Sequence, residues 1–365
     1  MKKWMPWCLF LLLALSTLAC KTVTQAVFQP TSTPFPTNTP APTRIPPPSD
    51  TPTPLPSPTV TPDACLNGDC ITSCLDALDS IVKTGIGEGQ LRTSMRNKAP
   101  ALDDTEIDLA TYPVVGDKLG DPVFGSNVPQ KLRPLQEDRR THEQIWDYFT
   151  AIIPAEQRTE LVEYNVFTDG EDNLLAAVYQ SETSAQQWVL QVDIKDSRNP
   201  QDLTYTLVHE FAHLLSLNSK QVPPSLPIFN HPEDEYLYEA EVNKCPNYFP
   251  GEGCSNPDSY INQFFNQFWG EIFTEWDNLN YIEDDDVYYD ALDKFYNKYA
   301  DQFVTDYAAT DPAEDFAETF SYFILQPQPA GDTVAEQKIL FFYTYPELVR
   351  LRTQMGKNLC ARIEK

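Results

Sequence analysis

Histidine and basic residues are scarce in this chain. Only 4 of its 365 residues are histidine, and 26 lysine and arginine residues stand against 53 aspartate and glutamate residues. The acidic excess excludes a nucleic-acid-binding protein, because such proteins need a basic surface to neutralise phosphates. It is typical of a solvated, soluble surface, and a preference for basic substrates is a second interpretation of the same charge.

Apolar runs long enough to cross a bilayer are also missing at the N-terminus. The run from Trp4 to Leu18 is too short to span, follows the basic start Met1-Lys-Lys and ends two residues before Cys20. This pattern resembles a bacterial lipoprotein signal. It predicts a signal peptide over residues 1–19, a palmitate-carrying Cys20 and a protein anchored at the membrane outside the cytoplasm. An uncleaved anchor or ordinary secretion is the alternative, because Thr17 replaces the usual apolar residue.

Residues able to pack a core are almost absent from Gln29 to Pro62, a stretch that contains 13 prolines. Proline favours extended polyproline II segments of about 3.1 Å per residue. The sequence therefore predicts a disordered tether over residues 20–64, which leaves residues 65–365 for the folded domain.

Cysteine usage fits an exported protein. With Cys8 removed in the signal peptide and Cys20 lipidated, six cysteines remain, an even number that predicts three disulfides. Cys245 and Cys254 are predicted to close a local loop. Three pairings stay open for the other four cysteines, and each ties an N-terminal one to the C-terminal one: Cys65, Cys70, Cys74 and Cys360.

The order H-E-x-x-H at His209, Glu210 and His213 is the strongest chemical signal in the sequence. Because the chain contains so few histidines, this motif rarely arises by chance. Asn199 can cap a helix that begins with Pro200. On that helix the two imidazoles share one face and can reach a single ion, predicted to be one catalytic Zn²⁺. Glu210 is offset by about 100°, which suits a general base beside the metal. The alternative is a pair of core histidines.

The third metal ligand has to come from elsewhere in the chain, because a catalytic zinc usually has three protein ligands. Six residues after His213 stands Ser219, which excludes the class with a third histidine at that spacing. Glu233 lies about twenty residues on, as in thermolysin-like enzymes. Its proline-bordered acidic loop, however, disfavours it.

A second helix supplies better candidates. Asp311 can cap it, and Glu314 and Glu318 then share one face. We assign Glu314 to the metal and Glu318 to a hydrogen bond with the other ring nitrogen of a ligand imidazole, while Asp315 points elsewhere. A solvated acidic face is the alternative.

Together, His209-Glu-Phe-Ala-His213 and Tyr307-(six residues)-Glu314-Asp-Phe-Ala-Glu318-x-Phe320 resemble the catalytic domain shared by anthrax lethal factor and the Pro-Pro endopeptidases. The resemblance implies zinc ligation by both histidines and Glu314, with Glu210 as the base. It also implies that Tyr307 assists the transition state. The 100 residues between His213 and Glu314 depart from the family's shorter spacing.

The rest of the pattern predicts an α+β, zincin-like fold. Its small, mostly antiparallel sheet occupies an N-terminal lobe over residues 65–200, and the histidine helix opens a helical lobe over 201–365. Asp169–Asn173 is predicted to form a hairpin turn between the first two of three strands. These strands are Leu161–Thr168, Leu174–Gln180 and Gln187–Ile194. An edge strand at this place could pair with an extended substrate or merely cover the helix.

Helical periodicity marks several further segments, while residues 85–134 give no clear pattern. The apolar residues of the two amphipathic helices are predicted to be core, not ligand, residues. The predicted helices are Ile71–Lys83, Arg140–Ile153, one helix through Ile261–Trp276 and one through Phe295–Phe303.

The combined prediction is a membrane-anchored, extracytoplasmic zinc endopeptidase, monomeric, with a protein or peptide substrate. Two alternatives stay open from the sequence. One is a surface-binding lipoprotein in which zinc only braces the fold, and the other is a hydrolase of non-peptide amides.

Overall fold

The structure, a computed structural model, describes residues 74–84, 106–170, 174–282 and 284–363. The predicted signal peptide, Cys20, the tether, Cys65 and Cys70 lie outside the described residues. Within the described ranges, no helix is both long and apolar enough to cross a membrane.

One six-stranded sheet precedes the histidine helix. Its centre is hydrophobic: the middle strand is buried along most of its length, as expected for a strand covered on both faces. The strands are β1 Ile107–Val115, β2 Lys118–Leu119, β3 Val123–Phe124, β4 Leu161–Thr168, β5 Ala176–Ser181 and β6 Ser184–Asp193. Their order is β2-β1-β4-β6-β5, and β3 pairs with β1 beside this path.

The strand order contradicts the predicted hairpin. β4 and β5 are not neighbours, because β6 lies between them, parallel to β4 and antiparallel to β5. The sheet is therefore mixed, with antiparallel pairing everywhere except between β4 and β6. Burial explains the difference: the second half of β6 is buried on both faces and takes the central place, which leaves the half-buried β5 at the edge. β1, in the stretch without a clear pattern, is absent from the prediction.

Twelve α-helices are present in the described part of the chain, so the predicted α+β class with a mainly helical second half is confirmed. They are α1 Leu75–Thr84, α2 Arg133–Gln136, α3 Arg139–Ile152, α4 Pro200–Leu217, α5 Leu226–Asn230, α6 Glu235–Lys244, α7 Tyr260–Phe268, α8 Phe273–Asp277, α9 Asp285–Lys298, α10 Pro312–Leu325, α11 Val334–Phe342 and α12 Pro346–Ile363.

Two of the predicted helices differ from those observed. The helix predicted through Ile261–Trp276 is broken into α7 and α8 around Gly270, where glycine weakens helical structure. α9 ends at Lys298, so Phe303 lies beyond it. Phe303 is nevertheless buried against Phe295, with ring centroids 6.1 Å apart, and its predicted place in the core is confirmed.

α4 and α10 pack against each other in the interior. Both helices begin with proline after a capping residue: Asn199 accepts from the Gln201 N–H at 3.0 Å, and Asp311 accepts from the Ala313 N–H at 2.6 Å. The amide of Asn218 donates to the Leu214 and Leu215 carbonyls at the end of α4. The two bonds from Asn218 cap the C-terminal end of α4.

An aromatic cluster holds α10 from its other side. Phe316 meets Phe264 of α7 at 5.4 Å and Phe342 of α11 at 5.0 Å, and Phe320 meets Phe342 at 5.3 Å, all edge to face. Each such pair contributes about 0.5–1.5 kcal/mol beyond simple burial. α10 is thus wedged between α4 and this cluster.

Candidate metal centre

α4 presents His209 and His213 on one face, one helical turn apart. Their Nε2 atoms lie 3.1 Å apart, and the two residues are only 6% and 8% exposed. Sequential spacing on the helix accounts for this convergence, because residues i and i+4 are surface neighbours.

α10 brings Glu314 to the same point from 101 positions further along the chain. Its Oε2 atom lies 3.0 Å from Nε2 of His209 and 3.4 Å from Nε2 of His213. The three ligand atoms lie within 4.8 Å of one another, and the three residues are buried. Two imidazole nitrogens and one carboxylate oxygen form a donor set that suits zinc and leaves a further position for a reactant. The residues present therefore fit the predicted ion.

Strong mutual electrostatics stabilise the charged forms of these three groups. Burial opposes ionisation of Glu314, but the charges of His213 and His209 outweigh it and hold the pKa of the carboxyl far below its usual range. Burial likewise disfavours protonated His209, but hydrogen bonds to Glu314 and Glu318 raise its pKa well above normal. A lowered carboxyl pKa beside a raised imidazole pKa is typical of buried groups that stabilise one another's charged forms.

Glu318 lies behind His209, one turn after Glu314. Its Oε1 atom is 2.8 Å from Nδ1 of His209, and its Oε2 atom accepts from the hydroxyls of Tyr205 at 2.9 Å and Thr305 at 2.6 Å. A proton on Nδ1 directed at Glu318 leaves Nε2 free to bind a metal. The arrangement matches the role assigned to Glu318.

Glu210 lies beside the three ligands but outside their set. It is 7% exposed, and a backbone hydrogen bond links its carboxylate to Val178 of the edge strand β5. Burial raises the pKa of Glu210 to about 7, against the opposing pull of His209 and His213. A carboxylate with a pKa near neutrality can both accept and return a proton, as a general base requires.

Tyr307 borders the site from a turn of 3₁₀ helix, Tyr307–Ala309, just before α10. Its ring centroid is 5.9 Å from that of His209, and its hydroxyl is hydrogen-bonded to Glu314. Burial, and then the nearby carboxylates Glu314 and Glu210, raise its pKa well above normal. The phenol therefore stays protonated and can donate a hydrogen bond.

The remaining acidic candidates are placed apart from the ligands. Glu233 is exposed, and Asp315 faces Lys338 at 2.6 Å instead of the two histidines. Tyr205 and Thr305 were not among the predicted site residues. The sequence could have indicated Tyr205, because it lies four residues before His209 on the same helix face. No sequence feature indicated Thr305.

A second group of converging carboxylates lies where β4 and β6 end: Asp169, Asp193 and Asp196. The carboxylate of Asp193 accepts the backbone N–H groups of Asp169, Lys195 and Asp196. These bonds hold two chain turns together. The group is a structural feature of the sheet's end and lacks imidazole ligands.

Comparison of the chain with protein-family models, with curated proteins and with solved structures finds no match.

Proposed function

We propose that this protein is a zinc-dependent endopeptidase with a zincin-like catalytic domain. The observation that carries the proposal is the convergence of two imidazoles of α4 and Glu314 of α10, with Glu210 adjacent to the set and not part of it. A purely structural zinc site normally has four protein ligands, whereas a catalytic one has three and keeps a position open.

His209, His213 and Glu314 would hold the ion, and Glu318 would fix the orientation of His209. When bound, zinc supplies a Lewis acid that polarises a peptide carbonyl and acidifies water. Glu210 accepts the proton of the attacking water and then passes it to the leaving amine. Tyr307 donates a hydrogen bond to the oxyanion that develops on the scissile carbonyl.

The edge position of β5 supports a peptide as the substrate. β5 pairs with β6 and stands last in the strand order, and the backbone of Val178 on β5 is hydrogen-bonded to Glu210. An extended peptide that pairs along β5 would carry its backbone past the proposed base. Such β-strand addition binds the main chain, with side-chain pockets left to select the sequence.

The protein is further proposed to act as a monomeric lipoprotein, tethered outside the cytoplasm by lipid on Cys20, with residues 65–365 as its catalytic domain. The N-terminal sequence supports this placement. Replacing Cys20 by alanine is expected to move the protein from the membrane fraction to the soluble one; retention in the membrane would contradict the lipid anchor.

The proposed activity is tested with the purified full-length protein, zinc-loaded, and a diverse library of blocked peptides. Wild type is expected to cleave a subset of them. Glu210→Gln is expected to bind one zinc per chain yet lose at least about 100-fold in kcat/KM. Glu314→Ala is expected to lose both zinc and activity, and Glu233→Gln, an exposed glutamate, serves as the matched control.

Two outcomes contradict parts of the proposal. Unchanged zinc affinity in Glu314→Ala would remove Glu314 from the ligand set. If wild type and Glu210→Gln both hold one zinc and neither cleaves any peptide, the zinc-braced binding lipoprotein becomes the better interpretation.

A further inference from the structure

Thr305 lies two residues before Tyr307, on the half-buried segment that leads into α10. Its hydroxyl donates to Oε2 of Glu318 at 2.6 Å and accepts the backbone N–H of Ala308 at 3.1 Å. A hydroxyl has one proton to donate and lone pairs that accept, so both bonds can form together. Thr305 therefore joins Glu318 to the turn of 3₁₀ helix that carries Tyr307.

The bond to Ala308 fixes the start of this turn. Within the turn, the N–H groups of Ala309 and Thr310 bond to carbonyls three residues back. The N–H of Ala308 precedes these bonds and is directed at the Thr305 hydroxyl instead. Short polar side chains provide such bonds at the starts of helices. Because Ala308 is fully buried, bulk water cannot replace the hydroxyl as the partner of this N–H.

The far end of the turn is held separately. The indole N–H of Trp276 donates to the Thr310 carbonyl at 3.0 Å, and the Thr310 hydroxyl donates to the Tyr307 carbonyl at 2.7 Å. Trp276 belongs to α8, which carries none of the three proposed metal ligands. The near end of the turn is thus tied to the metal centre through Thr305, whereas the far end is tied to α8.

A continuous set of hydrogen bonds runs from the metal ligands to the turn. Nδ1 of His209 is 2.8 Å from Oε1 of Glu318, and the other oxygen of the same carboxylate accepts from Thr305. The ring of Tyr307 lies beside this set, with its centroid 5.9 Å from that of His209. One carboxylate therefore helps to position both the imidazole that would hold the ion and the phenol that would meet the oxyanion.

Tyr205 provides an internal comparison for Thr305. Its hydroxyl donates to the same oxygen of Glu318, at 2.9 Å, from a position on α4 one turn before His209. The N–H of Ala308, however, is directed at Thr305. Both hydroxyls thus support Glu318, and Thr305 supports the turn as well.

We propose that Thr305 is a positioning residue that couples the orientation of His209 to the placement of Tyr307. The inference rests on the proposed peptidase function and adds a residue that acts through Glu318 and through the turn. A donor to a developing oxyanion has to lie at hydrogen-bonding distance from it, and a displacement of about 1 Å can cost about 100-fold in rate. Loss of the Thr305 hydroxyl is therefore expected to misplace Tyr307 as well as to loosen His209.

Conservative variants separate these two effects. Thr305→Val removes the hydroxyl and keeps the shape of the side chain, whereas Thr305→Ser keeps the hydroxyl. Tyr205→Phe removes the other donor to Glu318 and leaves the bond to the turn in place. Thr150→Val is the matched control for the exchange of threonine by valine, because the Thr150 hydroxyl bonds to the Asp147 carbonyl within α3. Melting temperature and zinc content verify that each variant is folded and loaded.

The first measurement is amide hydrogen exchange of the full-length protein, with and without zinc, read on a proteolytic fragment that spans the turn. Thr305→Val is expected to exchange about five- to tenfold faster there, as expected for the loss of one buried hydrogen bond. Thr305→Ser, Tyr205→Phe and Thr150→Val should keep the wild-type rate. Addition of zinc should slow the exchange less in Thr305→Val than in wild type, because the link to His209 is broken.

The second measurement is kcat and KM at saturating zinc, with a peptide that wild type cleaves. Thr305→Val is expected to lower kcat about tenfold or more with KM nearly unchanged, because the affected contact forms in the transition state. Thr305→Ser should restore most of the loss, and Tyr205→Phe should lose less than Thr305→Val. In a Tyr307→Phe background, Thr305→Val should have little further effect on kcat, since the donor that it positions is already absent.

The two measurements distinguish this inference from the proposed activity. If wild type cleaves peptides but Thr305→Val leaves exchange in the turn unchanged, or its loss adds fully to that of Tyr307→Phe, the positioning role is wrong while the peptidase stands. If nothing is cleaved but both exchange effects of Thr305→Val are present, the coupling between His209 and the turn stands and the peptidase fails. Absence of both contradicts both.

Discussion

At the scale of single residues, the buried acids of α10 are explained by their partners. Glu314 faces two imidazoles, Glu318 faces a third ring nitrogen and two hydroxyls, and Asp315 faces an ammonium and an indole N–H. A helix with three buried carboxylates is unstable unless each one is paired. The three contacts therefore explain how the pattern Glu-Asp-x-x-Glu can be buried in one helix.

The hydroxyls behind Glu318 should tune metal affinity without touching the metal. Tyr205→Phe and Thr305→Val each remove one donor to Oε2 of Glu318, which loosens its hold on His209. We expect zinc affinity, measured by chelator competition, to fall about 10–100-fold in the double variant. Tyr148→Phe, which loses a hydroxyl contact to Thr204 away from the centre, should leave the affinity unchanged. Equal affinities in all three proteins would reduce these hydroxyls to packing.

Glu252 should make the metal-free protein less stable as pH rises. Burial raises its pKa from 4.5 to about 7, so between these values the folded state binds more protons than the unfolded state. Its contribution is present below about pH 4.5 and is lost as pH rises through about 7, by roughly 1–3 kcal/mol. The charges of Asp311 and His213 are coupled to that of Glu252. The contribution of Glu252 is therefore isolated by comparing wild type with a variant in which only this residue is changed.

Glu252→Gln is expected to match wild type in urea unfolding at about pH 4.5 and to exceed it at about pH 8. The opposite order at high pH would mean that ionised Glu252 has a stabilising partner in the free protein.

At the scale of elements, α10 is positioned by a buried ion pair that is separate from the metal ligands. Lys338 of α11 reaches Asp315 at 2.6 Å, and both side chains are fully buried. The indole N–H of Trp269 donates to the same oxygen at 2.7 Å, and the ammonium lies 4.2 Å from the ring centroid of Phe303. This contact ties α11 to the helix that carries Glu314.

Removing one member of that pair should be costly. Lys338→Met leaves Asp315 buried without its counter-charge, and we expect a loss of about 3–5 kcal/mol in the free energy of unfolding by urea. Adding Asp315→Asn should restore part of the loss, since a neutral amide needs no ammonium. Lys244→Met, which breaks an exposed ion pair with Glu241, should leave the free energy of unfolding nearly unchanged. Equal costs for the two single variants would contradict the inferred role of the buried pair.

At the scale of the whole molecule, the two disulfides have different tasks. The bond between Cys74 and Cys360 joins α1 to α12 across 286 positions and links the ends of the described domain, whereas the bond between Cys245 and Cys254 spans 9. Both pairs are partly or wholly buried. Of the pairings left open by the sequence, the structure contains the one with Cys74.

Loss of the wide bridge should lower stability more than loss of the narrow one. A cross-link stabilises mainly by restricting the unfolded chain, and the effect grows with loop length within a range of about 2–5 kcal/mol. We expect thermal unfolding to place Cys74→Ser/Cys360→Ser below Cys245→Ser/Cys254→Ser, and both below wild type. A reversed order of melting temperatures would refute the entropic account.

The sequence alone determined the local features of the centre. Spacing of 3.6 residues per turn and the proline-led caps were enough to place His209, Glu210 and His213 on one helix and Glu314 with Glu318 on another. Such features depend on neighbours within a few positions, so pattern and capping chemistry suffice to predict them.

Only the tertiary structure decided what these helices meet. The approach of Glu314 to the histidines and the insertion of β6 between β4 and β5 both join segments distant in the chain. The hairpin signal at Asp169–Asn173 failed for the same reason: a turn motif reflects local backbone preference, whereas strand order follows the burial of whole strands. Burial is a property of the packed molecule, and no single segment of the sequence contains it.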